Sequence, residues 1–347
     1  MNRITETKRK VSVLCRFIIP AIVAVFALSC SSEGDIRQVF TTNPEPPVFL
    51  DSQPVSSTEV AFRFSKPVQV RSINFSPELE VLEIKDGAEV IITFAEPLAP
   101  GKRITADILV EDSARNTLDV IKTFRARNDR MPVLVFNELR TEFNNPRVEF
   151  VEFLALEAGN MGALRLFIAG YSLTRPFYEF PAAEVRAGEY IVLHLRTLSN
   201  DSVDETGDDL SLSGGTDASD TGRDFWVPGS AKRLHRTSAL WIMNQDDRII
   251  DAVILAENPS DWGRNNTIAA AEFLARNGAW LPADGSPATE GWVPGPADAV
   301  RTAGTTATRT INRDQSIPPA PRAGNWYITA TGDATPGREN STRRHTP

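Results

Sequence analysis

Short stretches in which apolar and polar residues alternate recur along most of this chain, and they set its fold class. Residues 60–64, 79–84, 90–94, 104–110 and 118–124 place apolar side chains two apart, the spacing that lines one face of a half-buried strand. Between them lie Ser65-Lys66-Pro67, Asp86-Gly87, Pro97 to Gly101 and Asp112 to Asn116, residue types that close turns. After Asn128 to Pro132, which read as a linker, a second set begins at 133–139 and continues at 148–154, 164–168, 171–173, 190–195, 238–243 and 248–255. In 148–154 the alternation sets Val148, Phe150 and Glu152 on one face, with Glu149, Val151 and Phe153 on the other. The fold expected is all-β, two β-sandwich domains in tandem. One helix interrupts it at 268–275, with Asn266 or Thr267 as its cap and Asn277-Gly278 as its stop.

The N-terminus has a different pattern. Arg3, Lys8, Arg9, Lys10 and Arg16 precede an apolar run at 17–28 that ends on Ser29-Cys30-Ser31-Ser32. The run is too short for a bilayer span of ~20 residues, and the layout is that of a secretory signal over 1–29. With Ala27, Leu28 and Ser29 before it, Cys30 resembles the lipobox cysteine of bacterial lipoproteins, in the relaxed form familiar from spirochaetes. That resemblance implies cleavage before Cys30, acylation of its sulfur with fatty acids such as palmitate, and a lipid-anchored chain; Ser31 favours the outer membrane over the inner. An ordinary cleaved signal that leaves one thiol is the other reading. Residues 30–47, rich in Ser, Thr, Asn and Pro, read as a flexible tether.

Removing the leader shifts the formal charge from −8 to −12, since five Lys/Arg and only Glu6 leave with it. An acidic chain has little with which to neutralise phosphates, which argues against nucleic acid as a partner. Cys15 leaves too, and with Cys30 joined to lipid no thiol remains for catalysis.

Two family resemblances refine the domains. Residues 48–128 resemble bacterial Ig-like domains through Phe64-Ser65-Lys66-Pro67-Val68, Leu98-Ala99-Pro100-Gly101 and the Asp112 to Asn116 turn, in which Arg115 replaces a glycine. Residues 132–340 resemble a lamin-tail domain, an Ig-like sandwich. The motifs are Val135 to Leu139, Glu149 to Phe153, Gly170 to Leu173, Phe180-Pro181, Ala187 to Leu193, Thr310 to Arg313, Asn325-Trp326-Tyr327 and Thr335 to Asn340. Two insertions lengthen it, at 199–229 and 258–309, and residues 341–347 read as a disordered tail. All six Trp lie in this second domain, three of them in the later insertion, which is expected to pack a satellite core.

Little in the sequence points to chemistry. Nucleophile-elbow, phosphate-loop, dinucleotide and metalloprotease motifs are absent, and the histidines are His194, His235 and His345. Glu138, Glu149 and Glu152 could be taken for a glycosidase pair, but in strand motifs they read as structural. Clustered carboxylates in the first insertion make Asp204, Asp208 and Asp209 candidate calcium ligands, though EF-hand spacing fails, and Trp226 a candidate contact for a partner. The expected function is non-enzymatic: an envelope-anchored lipoprotein in adhesion, scaffolding or recognition of a protein or glycan at the cell surface. The alternatives are an accessory subunit of a secreted hydrolase system and a periplasmic structural spacer.

Overall fold

The computed structural model describes residues 45–230 and 234–346; the leader, Cys15, Cys30 and its lipidation, and most of the tether lie outside the described residues. Among the described residues the fold is all-β, with several sheets and one short α-helix.

The first six strands are β1 (Phe49–Pro54), β2 (Glu59–Ser76), β3 (Val81–Lys85), β4 (Gly87–Phe94), β5 (Arg103–Asp112) and β6 (Thr117–Arg125). The second of these runs straight through the expected turn at Ser65-Lys66-Pro67 and bends there. Its first half pairs with β1 and β4, its second half with β5. Pro67 brings no N–H to the ladder and the register slips between Arg63 and Val68, which is how a strand leaves one layer for the other. Val60, Phe62 and Phe64, beside Val90 and Ile92 of β4, then share one buried core with Ile104 and Ile108. In the turn after β5, Asp112 Oδ1 accepts the N–H groups of Ala114 and Asn116, both at 2.9 Å. Arg115 sits at φ 65°, the conformation that a glycine would adopt without strain.

The remaining strands are β7 (Leu134–Arg140), β8 (Phe150–Ala155), β9 (Gly159–Asn160), β10 (Arg165–Ile168), β11 (Tyr178–Glu179), β12 (Glu184–Val185), β13 (Tyr190–His194), β14 (Gly222–Trp226), β15 (Ser238–Met243), β16 (Ile249–Ala256), β17 (Val300–Arg301), β18 (Ile311–Arg313) and β19 (Trp326–Ile328). They build a six-stranded sheet in the order β14-β13-β8-β7-β18-β19 and a five-stranded one in the order β11-β10-β15-β16-β17. Phe153, Ile191, Leu193 and Phe225 of the first pack with Leu166, Leu240, Trp241 and Ile254 of the second. The two sheets are also joined by a buried ion pair, Arg313 Nη2 to Asp251 Oδ2 at 2.5 Å. Arg313 Nε donates to Phe136 O at 2.6 Å, and Phe136 N donates to Asp251.

Several expectations are corrected. Asn128, read as part of a linker, is fully buried; its Nδ2 donates to the carbonyls of Asn160 and Gly162 at 2.7 and 2.8 Å. With Arg125 against Glu179 and Arg127 against Asp246, it ties the two sandwiches together. Tyr171–Leu173 forms a turn, because Tyr171 N and Ser172 N both bond back to Ile168 O. The later insertion packs no satellite core: Trp280 is wholly buried in the same cluster as Trp241, and Trp262 and Trp292 pack against it. Helix α1 (Thr267–Arg276) has no side-chain cap bond, since Asn266 Nδ2 donates to Ala169 O and Thr267 Oγ1 to Arg264 O. Finally, the tail expected to be disordered pairs along β19, with Ala330 N bonded to Arg343 O and His345 N to Ile328 O; Pro347 lies outside the described residues.

Candidate functional site

The six-stranded sheet buries both faces, and they differ in chemistry. Odd-numbered residues of β8 and β13 enter the apolar core, so their even-numbered neighbours point to the other side. On that side Asp224, Val192, Glu152, Glu138 and Asn312 lie abreast on five adjacent strands. One row along lie Trp226, His194, Phe150 and Arg140. All nine are buried. The first insertion and the C-terminal segment close over them.

Most polar groups in this layer have a defined partner. Thr335 N lies 3.1 Å from both Glu138 oxygens and Thr335 Oγ1 donates to Oε2 at 2.8 Å. Glu152 accepts Asn137 Nδ2 and Gly337 N, both at 2.6 Å. Asn340 Nδ2 donates to Arg313 O at 2.8 Å and to Asn137 Oδ1 at 3.1 Å. At the other end His194 Nε2 meets Asp224 Oδ1 at 2.6 Å, and its ring stacks on Trp226 with centroids 3.8 Å apart and planes 12° apart. Asp224 Oδ2 accepts Ser219 N at 2.9 Å, and Asp224 N donates to Glu205 at 2.8 Å. Arg140 pairs with Asp217 and lies 4.8 Å over the Phe150 ring. His194 Nδ1, Arg140 Nε and Asn312 Nδ2 have no hydrogen-bond partner among the described residues.

Burial sets the electrostatics. It pushes the Glu138 carboxyl up, opposed by Thr310, Thr335 and Arg140. Glu152 is driven well above the usual carboxylate range, first by burial and then by the charge of Glu138, as expected for two carboxylates that share one low-dielectric site. As a glycosidase pair they would need a cleft open to substrate. Here both oxygens of each are engaged, and neither residue is exposed. Glu149 faces away and binds Arg196 through both oxygens, at 2.5 and 2.7 Å.

The candidate calcium ligands are not brought together. Asp204 Oδ1 accepts Trp226 N at 2.7 Å, and burial raises its carboxyl. Asp208 lies exposed 3.9 Å from Arg186, and Asp209 caps Ser211 in its own turn. No group of three or more His, Cys, Asp or Glu among the described residues could hold a metal ion. Trp226 is not a surface platform: besides His194 it meets Ser213, whose Oγ accepts Nε1 at 2.6 Å. It lies on β14, a strand missed because it follows an acidic, glycine-rich stretch and runs parallel to β13. Asp224 and Gly337 were missed as members of this layer, although the alternation of β8 and the Thr335 to Asn340 motif already carried two of its components.

Residues 132–328 match the family TP_1001_2nd, described as protein second domain. The chain belongs to this family. An uncharacterized protein of Treponema pallidum (strain Nichols) is 29% identical over 199 residues, 55% of this chain and 50% of that protein. The chain thus spans about half the length of the curated relative that it matches. A DUF4876 family protein from Bacteroides thetaiotaomicron aligns over 87% of this chain and 95% of its own, with 11% identity and a TM-score of 0.27, a likeness too slight to bear on fold or function. The TP_1001_2nd domain holds β7 to β19, and thus the polar layer, whereas Thr335, Gly337 and Asn340, which cover it, follow the matched residues.

Proposed function

We propose that this is a lipid-anchored envelope protein without catalytic activity, serving adhesion, scaffolding or recognition through loops of its second sandwich. Closure of the polar layer supports this reading most: the carboxylates that could act as acid and base are engaged by Thr335, Asn137 and Gly337, away from solvent. What reaches solvent beside them is the first insertion, where Val203 and Leu212 are 46 and 54% exposed among Asp201, Asp208 and Asp209. Exposed apolar side chains among acids suit a protein partner that is basic and partly apolar. The resemblances to Ig-like and lamin-tail domains and the Cys30 lipobox agree with a surface module on a lipid anchor.

Protease added to intact cells tests the placement. The reading expects the second sandwich to be cut in its exposed loops without lysis. Cleavage only after the outer membrane is opened would instead favour the periplasmic spacer.

A further inference from the structure

The C-terminal segment 333–345 lies across the polar sheet face: its later half is held along β19 and by Asn340 and Arg344, whereas residues 335–337 are gripped by two opposed carboxylates. Glu138 and Glu152 are register partners on β7 and β8, a position that brings Cβ atoms to roughly 5 Å. Both are inaccessible to solvent. Glu138 holds Thr335 through its N–H and hydroxyl, and Glu152 holds Gly337 N. Gly337 in turn accepts Thr221 Oγ1 at 2.9 Å, so the first insertion rests on the same segment. The charges around the pair do not balance it. From β7 comes Arg140, already paired with Asp217 of the insertion. From β13 and β14 come Tyr190, His194 and Asp224, from β19 Tyr327, and from the segment itself Glu339.

We propose that residues 335–337 form a proton-controlled latch: one proton on the Glu138/Glu152 pair holds them against the sheet, and loss of that proton releases them. With one carboxyl protonated, the pair carries a single negative charge, and the N–H groups of Thr335 and Gly337 stabilise it. With both ionised, two like charges face each other in a dry site, and the relief available is to lift residues 335–337 and admit water. The sign follows from the raised carboxyls: the closed state binds more protons than the open one above the ordinary carboxylate range, so closure is fully favoured below that range and is lost as pH rises through the raised values.

Hydrogen exchange of the full chain in detergent, corrected for intrinsic rates, reads the latch. Protection of the Thr335 and Gly337 amides is expected to hold at about pH 5 and to fall about tenfold per pH unit once the pair loses its proton, while β4 and β5 keep theirs. Glu152→Gln removes one ionisable carboxyl from the site while keeping one of the two oxygens that accept Asn137 Nδ2 and Gly337 N, and should remove this fall. In the wild-type chain, the infrared band of a buried protonated carboxyl should disappear over the same pH interval, a reading that does not depend on the variant folding. Protection independent of pH, an unchanged fall in Glu152→Gln, or no titrating carboxyl band would each overturn the latch.

Discussion

Arg313→Ala is expected to destabilise the second sandwich by about 3–5 kcal/mol. The guanidinium is 3% exposed and joins three elements: β16 through Asp251, β7 through Phe136 O, and the loop before β19 through Ala320 O. It also lies 4.7 Å over the Trp326 ring. Burial pulls the Arg313 pKa down and pushes the Asp251 carboxyl up, and the attraction between the two opposes both shifts. Removing the cation leaves Asp251 charged, unpaired and buried, which costs far more than the net worth of the intact pair. Denaturant unfolding followed by Trp fluorescence reports this domain alone, because all six Trp lie beyond residue 132. Asp251→Leu combined with Arg313→Met should recover most of the loss, since the two sites share one interaction. A single-variant cost below about 1 kcal/mol would mean that the pair is solvated.

Trp280→Ala should cost about 3–5 kcal/mol, the usual range for emptying a site of this size. Trp280 is wholly buried with Ala270, Ala271 and Leu274 of helix α1 in the main core, and its Nε1 donates to Asp298 O at 2.9 Å. The insertion is therefore part of the fold: its loss of packing should lower the whole second-domain transition. A separate early transition, with the main one unchanged, would restore the satellite core that the sequence suggested.

The central strands of both sandwiches were legible because each has one face in an apolar core, and period-two alternation follows from that alone. The four strands around Phe62, Ile92, Ile108 and Phe124 and the two-faced strand that carries Glu152 are examples. What escaped had other causes. The 18-residue strand β2 was cut at Pro67 because proline signals a turn, whereas here it marks where the strand changes layers. Strand β14 starts at Gly222, which lies too close to Gly337 to carry a side chain; that requirement is set by a segment more than a hundred residues away. The burial of Asn128 likewise depends on carbonyls at Asn160 and Gly162 that no local pattern announces. As for the site, the sequence supplied Glu138, Glu152 and the Thr335 to Asn340 motif as separate elements, and only the sheet register and the C-terminal crossing bring them together.

Metabolic labelling with palmitate followed by detergent phase partitioning tests the proposed lipid anchor at Cys30 most directly. The wild-type chain is expected to take up label and enter the detergent phase, since the two or three acyl chains added at such a cysteine hold a protein where one does so only marginally. Cys30→Ser should lose the label. A wild-type protein that takes up no label and stays in the aqueous phase would contradict the account and make this a freely secreted protein.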